Sequence, residues 1–116
     1  MAAATHDFII EQGVTTSKAF IWKDSAGDVI DLTGYSARMQ IRESLASNST
    51  LLSATNANGQ LVIAAADGKV TLTLTATETA ALTFTSGLYD LELVSSGGTV
   101  TRLVQGTVTL SKEITR

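Results

Sequence analysis

The chain has 116 residues, carries a net formal charge of −3 at pH 7 and contains no cysteine. This length fits one domain that can bury a core without staples, and the lack of cysteine excludes disulfides, thiol nucleophiles and cysteine metal ligands. The acidic balance and the dispersed basic residues give no reason to expect a nucleic-acid partner. No apolar run approaches the roughly 18 residues that a membrane span needs, so we expect no membrane partner either.

Residues 1–7 have neither the basic start nor the long apolar run of a signal peptide. We expect them to form a flexible tail, followed by a single β-sandwich domain over residues 8–116. His6 is the only histidine and lies in this tail, where a catalytic base would not be held between its partners. We therefore expect no catalytic role for His6.

Short apolar segments in the first half of the chain predict β-strands, and the apolar residues at 19–22 are consecutive, so that both faces are covered there or a bulge shifts the phase. These segments are residues 8–12, 14–23, a short return at 29–30, and 35–42, with a hairpin-like turn over 24–28. The strand over 35–42 is the clearest, because every second residue from Tyr35 to Ile41 is apolar. Gly34 is expected to supply a positive φ at the turn into this strand, and we expect the strand to lie centrally.

The second half continues the strand pattern and adds one helical turn. Strands are predicted over 50–54, 60–64, 70–75, 87–93 and 100–110, and Gly106 is expected to mark a bulge in the last one. Thr75 and Glu78 have the spacing of a capping box, which predicts a short helical turn near 76–82. We expect this turn to plug one end of the fold, with Leu82 facing inward.

Eight or nine short strands with turns every 8–12 residues are typical of an immunoglobulin-like antiparallel β-sandwich. A closed barrel is the alternative fold. Trp22 is expected in the core rather than at the surface as a sugar platform. The residues expected to be largely buried in the core are Trp22, Met39, Ile41, Leu72, Leu74, Tyr89, Leu91 and Leu93.

Two groups of acidic residues are candidates for metal binding or catalysis. Asp24, Asp28 and Asp31 surround one turn, where carboxylates bind calcium in some loops but more often cap backbone amides. Asp90 and Glu92 are two residues apart on one strand, and without an aromatic cleft we interpret them as a solvated face rather than a glycosidase pair. We predict no catalytic residue, no metal and no cofactor.

Arg38 and Arg42 share the outward face of the strand over 35–42, which leaves two interpretations. They either form a stripe for an acidic partner or pair across strands with Asp90 and Glu92. The second interpretation is favoured.

Two N-terminal segments, EQGVT at 11–15 and WKDSAGDVIDLTGY at 22–35, resemble small virion proteins of tailed bacteriophages and prophages. They are also similar to the N-terminal domain of the phage baseplate upper protein family, where a "QG" element leads into D-x-x-G-x-x-x-D-L-T-G. The strands GLYDLEL at 87–93 and GTVTLS at 106–111 resemble the later strands of that domain. The resemblance covers most of the chain from about Asp7 onward.

The resemblance implies an immunoglobulin-like virion building block without catalytic residues, in the tail, baseplate or neck. Expected partners are other virion proteins and further copies of this chain, and the expected location is the virion, assembled in the host cytoplasm. Larger family members continue into a receptor-binding or linker region, which puts direct receptor binding by this chain in doubt. A capsid-decorating or carbohydrate-binding module is the alternative, and an enzyme is the least supported class.

An assembly surface is expected at the segments 8–12 and 100–110, which are predicted as sheet edges with few charges. Leu103 is out of phase with the other apolar residues of its strand, so some apolar surface should remain for a neighbour. We expect the tail to become ordered only at this contact. The candidate interface residues are Phe8, Ile10, Arg38, Arg42, Leu103 and Val104.

Overall fold

Two β-sheets face each other in the computed structural model, which describes residues 4–115. Within this part of the chain, a single-turn helix, α1 (Ala76–Ala80), lies between the seventh and eighth strands, and a 3₁₀ turn at Ala65–Asp67 follows the sixth strand. The strands are β1 (Ala4–Thr5), β2 (Phe8–Glu11), β3 (Thr16–Ile21), β4 (Ser36–Arg42), β5 (Leu52–Thr55), β6 (Leu61–Ala64), β7 (Lys69–Leu74), β8 (Ser86–Val94) and β9 (Val100–Ser111).

The strand order confirms the predicted immunoglobulin-like sandwich. The larger sheet has the order β1–β9–β8–β4–β5, with β2 also paired to β9, and the smaller sheet has the order β3–β7–β6. In immunoglobulin folds strands B, E and D share one sheet and C, F and G share the other. Here β3, β7 and β6 take the first set of places, and β4, β8 and β9 take the second. One feature differs from the prediction, because β1 and β2 run parallel to β9.

The core lies between the two sheets and is built by the period-two alternation of the strands. Ala37, Met39 and Ile41 of β4 are buried against Leu91 and its alternate neighbours on β8. Seven of the eight residues predicted for the core are buried. The exception is Trp22, which is half-buried and packs edge-to-face on Tyr35 with ring centroids 6.1 Å apart. Trp22 therefore borders the core instead of filling it.

The predicted capping box is present at the start of α1. The Thr75 hydroxyl accepts a hydrogen bond from the Glu78 amide at 3.1 Å, and the Glu78 carboxylate accepts one from the Thr75 amide at 2.8 Å. Leu82 is buried, as expected for a plug at the end of the sandwich. Thr79 is also fully buried, with its hydroxyl 2.9 Å from the Val14 carbonyl, a contact that joins α1 to the chain entering β3.

The segment before β2 differs from the expected tail. Ala4 and Thr5 pair with β9, and the His6 amide donates to the Gln105 carbonyl at 2.9 Å. Asp7 continues this contact, because its carboxylate accepts a hydrogen bond from the Thr107 amide at 2.8 Å. Residues 1–3 of the expected tail lie outside the described part of the chain. Hydrogen bonds to β9 of the same chain therefore hold residues 4–7 in position. The expectation that these residues become ordered only at a contact with another molecule is wrong for this segment.

Gly106 does not mark a bulge, contrary to the prediction. It lies in register opposite Tyr89, and a Cβ at this position would come within 2.2 Å of the His6 carbonyl oxygen. The Tyr89 hydroxyl donates a hydrogen bond to that same oxygen. The absence of a side chain at Gly106 thus allows the N-terminal segment to approach the sheet closely.

The last strand is not an edge, and its irregularity lies at Leu103. β9 pairs with β8 on one side and with β1 and β2 on the other. Leu91 is opposite Val104 and Glu92 is opposite Arg102, so Leu103 is the extra residue of a β-bulge. The bulge returns the Leu103 side chain toward the core, where it is half-buried. The exposed apolar surface at Leu103 is therefore smaller than predicted.

We expect Leu91→Ala to lower the free energy of unfolding by about 2–5 kcal/mol, because it leaves a cavity in a closely packed core. Leu91 is 0% exposed, whereas Leu88 on the same strand is 38% exposed on the outer face. Leu88→Ala is the matched control and should have a much smaller effect. Urea unfolding followed by circular dichroism measures both, and equal losses would contradict the strand phase described here.

Candidate functional site

A groove of about 710 Å³ crosses the outer face of the larger sheet. Its floor is formed by outward-facing residues of β4, β8 and β9, and the loop after β4 contributes Leu45, which is almost fully exposed. Gln40, Asp90 and Gln105 lie directly opposite one another across these three strands. The remaining lining residues are Thr5, Asp7, Arg42, Ser44, Leu88, Tyr89, Glu92, Arg102, Gly106 and Thr107.

Ion pairs cross this face between neighbouring strands. Arg38 is in register with Glu92, and its Nε donates to the Glu92 carboxylate at 2.8 Å. On the other side of β8, the Arg102 Nε lies 3.4 Å from an Asp90 oxygen. Both pairs are partly exposed to solvent, which screens the attraction between their charges, so each contributes little to stability. Their effect is to fix the positions of the charged groups that border the groove.

Asp90 is the least satisfied of these charged groups. No hydrogen bond reaches its carboxylate from the residues that the structure describes, and Arg102 is its only ion-pair partner among them. Partial burial raises the pKa of Asp90 above its ordinary value of 3.8, and the nearby Glu92 carboxylate raises it further. The three neighbouring arginines lower this pKa only in part. The groove floor therefore presents an acceptor that is open to a ligand donor.

The two predicted arginines have different partners. Arg38 pairs with Glu92, which confirms the cross-strand interpretation for this residue. Arg42 lies opposite Leu88 instead of a carboxylate. Its guanidinium donates to the Ser47 carbonyl at 2.8 Å and to the Gln40 side chain at 2.9 Å. Arg42 thus holds the loop after β4 against one end of the groove.

Two of the three aspartates around the turn at 24–31, Asp24 and Asp31, cap backbone amides, as predicted. Asp24 accepts hydrogen bonds from the amides of Ala26 and Asp28 at 2.9 and 3.0 Å. Asp31 accepts from the Thr33 hydroxyl and amide, and these hydrogen bonds lower the pKa of Asp31. In the described range, no group of three or more His, Asp or Glu side chains is arranged to hold a metal ion.

The segments at 11–15 and 22–35 contribute residues that hold the sandwich together. The Gln12 side chain donates to the Leu82 carbonyl at 2.8 Å and accepts from the Glu113 amide at 2.9 Å. It therefore ties the crossing between the two sheets to the segments after α1 and after β9. In the second motif Leu32 is buried, and Gly34 has the predicted positive φ of 84°.

His6 is exposed and packs beside aromatic rings. Its ring is stacked on Phe8 at 6.5 Å and lies edge-on to Phe20 at 6.4 Å. No serine or carboxylate side chain is hydrogen-bonded to this ring within the described residues. The geometry of a nucleophile and base is therefore not formed around His6 in this part of the chain.

Three of the predicted interface residues are core residues. Phe8, Ile10 and Val104 are buried between the sheets of a single chain, so their side chains do not face a neighbour. The sequence predicts an edge at these residues because alternation within one strand does not reveal the pairing of β2 with β9. The exposed apolar residue of β2 is Ile9, which points outward between Phe8 and Ile10.

The groove itself was missed, although the sequence contains its residues. Gln40 and Gln105 are unremarkable in sequence, and only the strand register places them on either side of Asp90. Neither the comparison with protein-family models nor the comparison with curated proteins finds a match to this chain. No helix among the described residues is long and apolar enough to cross a membrane.

We expect Asp90→Asn to stabilise the protein at neutral pH. A carboxyl whose folded pKa is raised adds stability below its ordinary pKa, and this contribution is lost as the pH rises through the folded pKa. The stability difference between Asp90→Asn and wild type should therefore shrink as the pH falls toward 3.8, the ordinary aspartate value. Denaturant midpoints measured across this pH range test the expectation.

Glu92→Gln is the matched control, because it removes a carboxylate two residues away that is hydrogen-bonded to Arg38. This variant should not be stabilised at neutral pH. An Asp90→Asn variant that is no more stable than wild type at neutral pH would contradict the described environment of Asp90.

Proposed function

We propose that this chain is a non-enzymatic structural component of a tailed-phage virion, in the tail, baseplate or neck, that assembles through edges of its β-sandwich. The observation that carries the proposal is the use of the phage-like motif residues. Gln12 is hydrogen-bonded to the Leu82 carbonyl where the chain crosses between the sheets, Asp24 and Asp31 cap turns, and Leu32 is buried in the core. These residues preserve a sandwich instead of forming a reactive site, as expected for a building block.

The exposed apolar side chains support an assembly role. Ile9 on β2, Ile21 on β3 and Val62 on β6 are each more than half exposed and lie on strands at sheet edges. Edge strands offer backbone groups to a neighbouring strand, and monomeric proteins protect them. A building block uses such edges for contacts with other virion proteins or with further copies of itself.

Mass spectrometry of purified intact particles tests this proposal. We expect the chain to be recovered with the particles in constant ratio to the major virion proteins, through successive density-gradient purifications. Recovery only in the host-cell lysate, with none in particles, would overturn the structural role. A tagged copy of this chain, added to the particles in known amount, provides the control for the sensitivity of detection.

A carbohydrate-binding or capsid-decorating module is the second candidate, and the groove favours it. Gln40, Asp90 and Gln105 offer planar donors and acceptors in one row, beside the apolar Leu88. A glycan array discriminates this candidate, with Gln105→Ala and Tyr35→Phe compared. Binding that depends on Gln105 and not on Tyr35 would favour a module that uses the groove.

A further inference from the structure

The edge strands of this sandwich differ in how their outward backbone groups are satisfied. In an antiparallel pair, alternate residues direct both N–H and C=O away from the partner strand. At a sheet edge these groups can pair with another chain unless the edge is capped or charged. The edges with four or more residues are β2 and β5 in the larger sheet, and β3 and β6 in the smaller sheet; β1 is a further edge of the larger sheet with only two residues.

The edge at β5 is closed by a side chain. The Asn56 amide donates to the Ala37 carbonyl on β4, so Ser53 and Thr55 are the residues whose backbone groups point outward. Asn58 binds both of them, because its Oδ1 accepts from the Thr55 amide and its Nδ2 donates to the Ser53 carbonyl, each at 3.1 Å. A second strand would have to displace Asn58.

The edges at β2 and β3 are protected by charged residues. Glu11 ends β2, and its carbonyl already accepts a hydrogen bond from the Val14 amide at 3.2 Å. On β3, Lys18 occupies an inward-facing position and is half-buried. An inward-pointing lysine on an edge strand disfavours pairing, because a partner strand would bury its charge further.

β6 has none of these protections. The Thr73 amide donates to the Gln60 carbonyl at 2.7 Å, which fixes the alternation so that Leu61 and Ile63 direct their backbone groups outward. No hydrogen bond from the described residues reaches those outward groups. The strand from Leu61 to Ala64 contains no charged residue, no proline and no bulge, and the Val62 side chain is 52% exposed.

We propose that β6 pairs antiparallel with β6 of a second copy of this chain, about a two-fold axis at Val62. In this register Leu61 of each copy exchanges hydrogen bonds with Ile63 of the other. The two Val62 residues then form a non-hydrogen-bonded pair, with Cα atoms about 4.5 Å apart and side chains in contact. The two three-stranded sheets become one continuous sheet.

Self-complementarity identifies a second copy as the occupant. A two-fold axis places each residue of the strand opposite a residue of the same strand, so any charge in it would face a like charge. β6 has no charge to create that conflict, and the β-branched side chain of Val62 packs against Val62 of the second copy on the pleated surface. This inference names the edge and the partner for the assembly proposed above, and it rests on that proposal.

Sedimentation equilibrium of the purified chain, with amide hydrogen exchange by NMR, tests the pairing. We expect a concentration-dependent dimer and protection of the Leu61 and Ile63 amides that increases with concentration. The Ala19 amide on the other edge of the same sheet should not change. Val62→Lys should weaken dimerisation by about tenfold or more, because two like charges would then lie opposite each other.

Ile21→Lys is the matched control, since Ile21 is 51% exposed and lies on the opposite edge strand of the same sheet. It should leave dimerisation unchanged. A wild-type chain that stays monomeric at every concentration would overturn the inference, as would a dimer that tolerates Val62→Lys or loses equal affinity with Ile21→Lys. If Val62→Lys does not fold, the amide protection in the wild-type chain still decides the question.

The two proposals fail separately. A chain found in particles but monomeric in solution, with unprotected Leu61 and Ile63 amides, would overturn the β6 pairing alone. A chain that dimerises through β6 but is absent from particles would overturn the virion role alone.

Discussion

The need to pair backbone groups where the chain leaves a sheet is the constraint on which this sandwich depends. A buried amide or carbonyl left without a partner costs about 1–3 kcal/mol, and short strands create many such positions. Side chains fill them here. Asp7 pairs with the Thr107 amide, Asn58 caps the β5 edge, and Gln12 joins the sheet crossing to two distant segments. Asp24 and Asp31, which are candidate ligands in the sequence, also have this structural role.

The two outer faces of the sandwich differ in chemistry. The larger sheet carries arginines, carboxylates and glutamines in cross-strand rows. The outer face of the smaller sheet carries small, apolar or threonine side chains and a single charge in its described strands, Lys69, because Lys18 faces inward. Covering the charged face would require its ion pairs to be desolvated, whereas a face almost without charge can approach another protein surface at little desolvation cost. The two faces therefore differ in the free energy that covering them would cost.

Local patterns in the sequence predict the strands and their phase well. The features that the sequence does not predict depend on pairing between strands that are distant in the chain. Alternation assigns Met39 and Leu91 to the core, and the Thr75–Glu78 spacing identifies the helix start. The bulge at Leu103, the parallel pairing of β2 and the row of Gln40, Asp90 and Gln105 depend on which strands become neighbours. Asp7 and Thr107 are 100 residues apart, and no periodicity within either segment reports their contact. Trp22 borders the core instead of filling it as predicted, because the consecutive apolar residues at 19–22 do not define one inward face.

The parallel pairing of β2 with β9 has a mechanical consequence. Phe8 lies opposite Val108 and Glu11 lies opposite Ser111, so the two strands run in the same direction near the beginning and the end of the domain. Tension applied between the two ends pulls these strands past each other along their length. The hydrogen bonds between them are then loaded together in shear, whereas peeling a hairpin from its open end breaks such bonds one after another. Resistance to stretching is set by the barrier to this sliding step, and it is concentrated in the few residues that join β2 to β9.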